Sequence, residues 1–214
     1  VLSLLPLKRL MISSNLQCSG ISLPPMPELE FLKLYLVDDK PPSFSNWHLP
    51  TLAMLSILGV SKNTLYDILV HVPLTLTHIS LISRDYAKSS FSAEQELAWI
   101  NRLKQMTQLQ VLKASVRLST HFLEEWCAWL PTAALTQFPD QMIPTNPTEF
   151  AILEAAWAKC QTIRQFQALN AMGSVAPYSA SDVIFSGLTR LKKIKLKPDV
   201  TLDPEVLQAW FTSC

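Results

Sequence analysis

The side chains able to do chemistry are scattered through this chain, and their spacing argues against most of the chemistry they could do. Four histidines (His48, His71, His78 and His121) show no i, i+4 pairing of the kind that sets two imidazoles on one helix face for a metal. Four cysteines (Cys18, Cys127, Cys160 and Cys214) contain no Cys-x-x-Cys. They read as buried free thiols of a reducing, intracellular compartment, cytoplasmic or nuclear, in preference to a disulfide framework or zinc. Cys127 follows Trp126 and precedes Trp129 on an apolar stretch with no evident activating base, so it reads as core in preference to nucleophile. Asp38-Asp39 and Glu124-Glu125 are adjacent carboxylates whose side chains diverge, so neither makes a general acid/base pair. Gly-x-Ser-x-Gly is absent, and four glycines make no phosphate-cradling loop. No catalytic residue, metal site or cofactor is expected. One basic run remains, Lys192-Lys-Ile-Lys-Leu-Lys197. Lys193, Lys195 and Lys197 could contact an anion or nucleic acid; an edge strand protected from aggregation by its lysines is the preferred reading.

Composition bounds the class of protein without naming a role. The chain has 214 residues, 49% of them hydrophobic, enough for a sizeable core. A net charge of +1 supplies no global field toward nucleic acid or membrane. No apolar run approaches the roughly 18 residues of a spanning helix.

What positions the scattered side chains is a phrase. Leu7-x-x-Leu10-x-Ile12 is followed by Leu29-x-x-Leu32-x-Leu34, Leu52-x-x-Leu55-x-Ile57 and Leu76-x-x-Ile79-x-Leu81, at nearly even steps. In a short strand side chains alternate between faces, so Leu32 and Leu34 point into a core while Lys33 points out. Pro27, Pro50 and Pro73 stand just before a phrase and end whatever connects one strand to the next. A short helix is expected over 63–70, with Leu65, Ile68 and Leu69 inward, and an irregular segment over 38–46. Ser92-Ala-Glu-Gln95 is a capping box opening a helix with Leu97, Ile100, Leu103 and Met106 inward. Leu109-x-x-Leu112-x-Ala114 comes after a longer interval than any before it, and that interval fits a full helix. A further helix is expected over 120–130, with Phe122, Trp126, Trp129 and Leu130 on one side, then a proline-rich inserted loop over 131–147. Asn146-Pro-Thr-Glu149 is a helix start, with Phe150, Leu153, Trp157 and Cys160 following on one face. Ile163-x-x-Phe166-x-Ala168 and Leu191-x-x-Ile194-x-Leu196 are the last phrases, and Asp203-Pro-Glu205 caps a closing helix. Val1 to Leu7 read as the first visible part of an array already under way, because Lys8 and Arg9 lie on the wrong side of it for a signal sequence.

A period of roughly 20–29 residues with this phrase resembles a leucine-rich repeat. Leu23-Pro-Pro-Met-Pro-Glu-Leu-Glu-Phe-Leu-Lys-Leu34, His48-Leu-Pro-Thr-Leu-Ala-Met-Leu-Ser-Ile57 and Leu188-Thr-Arg-Leu-Lys-Lys-Ile-Lys-Leu196 are similar to the irregular repeats found behind F-box domains in large fungal families. The resemblance implies an α/β solenoid: a curved parallel sheet of about seven short strands, helices and irregular loops outside, forming one domain over 1–214. Residues 1–88 would be regular repeats and 89–214 longer helical ones. It also implies a substrate-receptor role in a ubiquitin ligase, with the cullin-ligase adaptor reached only through an F-box upstream of Val1. The chain departs from the pattern at the asparagine that many repeats place three positions after the phrase. It is present as Asn15 and replaced by Val37, Val60 and Arg84.

On such a sheet the outward residues of the first strand are Arg9, Met11 and Ser13. Central strands offer Phe31, Lys33 and Tyr35, then Met54, Ser56 and Leu58, then His78, Ser80 and Ile82. Val111, Lys113 and Ser115 follow, then Gln165, Gln167 and Leu169, and finally the three lysines. The central residues would make an apolar and aromatic concave patch, the expected site for a protein partner. The alternatives are that a loop or an upstream domain covers them, or that a register slip of one residue turns them inward.

Overall fold

Alternating apolar and variable residues favour extended chain, since a strand sends residues i and i+2 to the same side. The computed structural model describes residues 6–13, 25–36, 47–83, 91–114, 123–137, 152, 155–156, 159–160, 162, 165–167 and 193–195. Strands β1 (Arg9–Ser13), β2 (Phe31–Tyr35), β3 (Met54–Val60), β4 (His78–Ser83) and β5 (Val111–Ala114) follow the first five phrases. They form one all-parallel sheet in chain order. Corresponding phrase positions share a rung: Leu10, Leu32, Leu55, Ile79 and Leu112 on one, Ile12, Leu34, Ile57, Leu81 and Ala114 on another. From Leu32 to Leu112 every one of these whose burial is described is buried. With helices α1 (Lys62–His71), α2 (Ala93–Gln105) and α3 (Leu123–Trp129), the chain is of the α/β class.

The same turn precedes each strand from β2 to β5. The first leucine of the phrase donates its N–H to the carbonyl three residues earlier, in the pairs Leu29–Met26, Leu52–Leu49, Leu76–Pro73 and Leu109–Met106. Pro27 and Pro50 occupy the second place of their turns, where the ring's fixed φ is already the one the turn requires. Threonine hydroxyls then tie one repeat to the next. Thr51 Oγ1 donates to Leu29 O (3.2 Å) and Pro27 O (2.7 Å), and Thr75 Oγ1 donates to Leu52 O (3.3 Å). Each threonine immediately precedes its phrase and bonds to the first leucine of the phrase before.

Gly59 interrupts the alternation. Its φ of +84° is open to glycine at no steric cost, and a Cβ there would meet Leu36 O at 2.2 Å. The register shifts between Leu58 and Val60, which turns Val60 into the core when strict alternation would have turned it out.

The helices behind the sheet follow their caps. Ser61 accepts from the Thr64 N–H at the start of α1, and Leu65, Ile68 and Leu69 are buried as expected. The Ser92–Gln95 capping box closes in both directions, at 3.1 and 3.3 Å. Along α2 the expected face is corrected. Ile100, Leu103 and Met106 are buried, but Leu97 is 41% exposed, and Glu96 and Trp99 are buried instead. A step of three residues falls about 60° short of a full turn, so a series of such steps spirals off one face. Positions 96, 99, 100 and 103 hold to it. Arg102 of α2 donates to Val72 O at the end of α1, and burial lowers the guanidinium pKa. Tyr66, Phe91 and Trp99 stack edge to face at 6.0 and 5.7 Å.

Compactness divides the chain into units 1–117 and 118–214, later than the loosening of the phrases near residue 88. In the second unit α3 is followed by a 3₁₀ turn, Leu130–Thr132, so the expected loop over 131–147 begins as a turn. Trp126, Trp129 and Leu130 are buried, and the two indoles meet edge to face at 5.6 Å. β6 (Gln165–Gln167) and β7 (Lys193–Lys195) form a parallel pair of their own. Among the described residues the largest sheet therefore has five strands, where one sheet of about seven was expected. The interval from Leu109 to Ile163 is more than twice the step that carries one strand to the next at the start of the chain. Residues 38–46, Phe122, the helix start at 146–149 and the closing helix at Asp203 lie outside the described residues.

Candidate binding face

The outward positions of β1 to β5 stand on three rungs. The first carries Arg9, Phe31, Met54, His78 and Val111; the second Met11, Lys33, Ser56, Ser80 and Lys113; the third Ser13, Tyr35, Leu58 and Ile82. All nine central residues expected at the face stand on it. Tyr35 and Met54 (both 37%) and Ile82 (38%) are exposed. Phe31, Lys33, Ser56, Leu58, His78 and Ser80 are half-buried. With Met11 at 61%, this face holds four of the seven large hydrophobics that are exposed among the described residues. Val111 is the exception to the expected pattern and is buried. It is a short branched side chain on the rung of the larger His78 ring.

Cations lie over the aromatic rings. The Arg9 guanidinium is 4.7 Å from the Phe31 centroid, and Lys33 Nζ is 5.0 Å from the Tyr35 centroid. Each contact is worth about 0.5–1 kcal/mol at an exposed site. Its larger consequence is placement, since it holds two positive charges low over the sheet beside apolar side chains.

His78 belongs to a short relay. Thr77 Oγ1 donates to Ala53 O at 3.0 Å. The same hydroxyl lies 2.8 Å from His78 Nδ1, which ties the ring to the turn before β4. Burial lowers the His78 pKa below its ordinary 6.5, so the ring is neutral at pH 7. The described face therefore presents apolar area, hydroxyls, a neutral imidazole and three cations. That set suits adhesion.

The remaining candidates are placed more sparsely. Lys193 and Lys195 sit on β7, and Lys197 lies outside the described residues, as do Ser115 and Leu169. In the second unit Cys127 Sγ donates to Ile152 O at 3.7 Å and Cys160 Sγ to Ala156 O at 3.4 Å. Burial, with the Glu124 charge added, pushes the Cys127 thiol up to about 11. Burial and then Cys127 push Cys160 up to about 12. Both are protonated at neutral pH and therefore weak nucleophiles. No helix among the described residues is long and apolar enough to cross a membrane.

Sequence reasoning placed Arg9, Met11 and Lys113 outward but left them out of the central patch, whose rungs they share. The signal was in the phrases, since these residues hold the same positions in the first and fifth. No protein-family model matches the chain, and no curated protein matches it.

Proposed function

We propose that this chain is the partner-binding region of a leucine-rich-repeat protein, not an enzyme, and that the open face of β1 to β5 receives a protein. The observation that carries this reading is the coincidence of phrase and rung. Equivalent residues of five phrases line up across five parallel strands, and the positions between the buried leucines vary freely. Exposed clusters of aromatic, methionine and aliphatic side chains are a common mark of partner sites. Anchors are Phe31, Tyr35, Met54, Leu58 and Ile82, with Lys33, Ser56, His78 and Ser80 among them.

The likeness of the phrases to repeats behind F-box domains extends the proposal to substrate recognition in a cullin-type ubiquitin ligase. An F-box upstream would supply contact with the adaptor. Affinity purification of the full-length protein, with mass-spectrometric identification of what co-purifies, tests both levels. Enrichment of the cullin-ligase adaptor supports the ligase reading. Its absence, with another protein retained by the wild type and lost from a Phe31→Asp, Met54→Asp variant of unchanged circular dichroism, leaves a scaffold and removes ubiquitin from the account. Retention by that folded variant contradicts the site.

A further inference from the structure

We infer that the open face selects an acidic, extended protein segment, which sets carboxylates on Lys33 and Lys113 across the serine rung, between apolar rungs on either side. This rests on the reading of the face as a protein-binding site and goes beyond it to the chemistry of the partner. Charge is the first argument. The described face carries Arg9, Lys33 and Lys113 and none of the chain's 17 acidic residues. The neighbouring Glu30 is paired with Lys8 at 3.2 Å. In a chain of net charge +1, this is a local concentration of positive charge.

Spacing is the second argument. Lys33, Ser56, Ser80 and Lys113 are consecutive neighbours on one rung, so the lysines stand three inter-strand steps apart, about 14 Å. An extended segment laid across the strands rises about 3.3 Å per residue and turns every second side chain to the same side. Acidic residues four apart therefore reach both lysines, and the residue midway between them meets the serine hydroxyls.

The flanking rungs favour protein over nucleic acid as the source of negative charge. Met54 on one side, Leu58 and Ile82 on the other, offer apolar area that a phosphodiester backbone would leave uncovered. Nucleic acid in single strands gains its grip from bases stacked on open rings. Here one face of Phe31 lies under Arg9 and one face of Tyr35 under Lys33.

Selection of a displayed library of random dodecapeptides against the full chain tests the inference. Winners are then remade with Asp→Asn and Glu→Gln, measured at low and high salt, and tested on Lys33→Glu, Lys113→Glu and Met54→Asp variants of unchanged circular dichroism. The expected winners carry acidic residues at i and i+4. They weaken about tenfold on neutralisation and on either charge reversal, and weaken further as salt screens the pairing. Winners that are neutral or basic, or indifferent to Lys33→Glu and Lys113→Glu yet lost on Met54→Asp, overturn the acidic preference and leave the face standing. Winners indifferent to all three variants overturn the face as well. Tighter binding of a mixed-sequence single-stranded oligonucleotide than of any acidic peptide, or the absence of any winner, also overturns it.

Discussion

Leu32 and Leu34 are buried in the core, and Phe31, Lys33 and Tyr35, which alternate with them along β2, keep contact with water. The same division runs through β3 and β4. On the inner rungs the residue type barely changes from strand to strand: leucine or isoleucine throughout, with alanine at the last place. Across the outer rungs it changes at nearly every step, from arginine to phenylalanine, methionine, histidine and valine on one of them. One backbone thus serves two sets of constraints. The inner side must fill a close-packed interior, and the outer side is free of that constraint.

The comparison breaks most sharply on a charge placed inside. Leu32→Asp puts an unpaired carboxylate at a site with no exposure. It is expected to cost several kcal/mol, a large share of a domain's total stability, so the strand signal in circular dichroism should be lost at room temperature. Gly59→Ala tests the place where the two sides exchange. A methyl group at positive φ, driven against Leu36 O, should cost about 2 kcal/mol or more by urea denaturation. A cost near zero would mean that the bulge is not what turns Val60 inward. Thr51→Val and Thr75→Val each remove a hydroxyl that ties neighbouring repeats and should cost about 1 kcal/mol apiece in the same assay. On the outer side, Lys33→Asp should change stability by less than about 1 kcal/mol, the worth of an exposed cation–π contact.

The smallest effect concerns pH. The folded pKa of His78 lies below its unfolded value of 6.5, so the unfolded chain binds the extra proton first. Above pH 6.5 the group has no influence. As pH falls through 6.5 toward the folded pKa, stability declines. The melting temperature of the wild type should therefore drop more steeply over that window than that of His78→Gln. Parallel curves would show that the ring is as exposed as an ordinary surface histidine.

Much of the first unit was legible because its signals are local and periodic. The phrase predicts the strands, alternation predicts which side chains face water, and Ser92 with Gln95 marks the start of α2. The threonine ties were not legible, because a hydroxyl whose partner lies a whole repeat away leaves no trace in the spacing of apolar residues. The inward turn of Val60 was not legible for a related reason, since one positive φ at Gly59 reverses the side on which the strand ends. Leu97 failed because apolar residues three apart were read as one face when they follow a slow spiral. Of the candidate site, the rungs were legible in the triplets. The seating of Arg9 on Phe31 and Lys33 on Tyr35 depends on rotamers that no linear pattern specifies.

The most direct test of the two-sided sheet is thiol labelling of single cysteine substitutions at Phe31, Leu32, Lys33, Leu34 and Tyr35, read by peptide mapping under native conditions. The account predicts rapid modification at 31, 33 and 35, and modification slower by at least about a hundredfold at 32 and 34, where reaction must wait for opening of the core. Equal rates along the strand, or fast labelling at 32 and 34, would contradict it and would remove the open face with it.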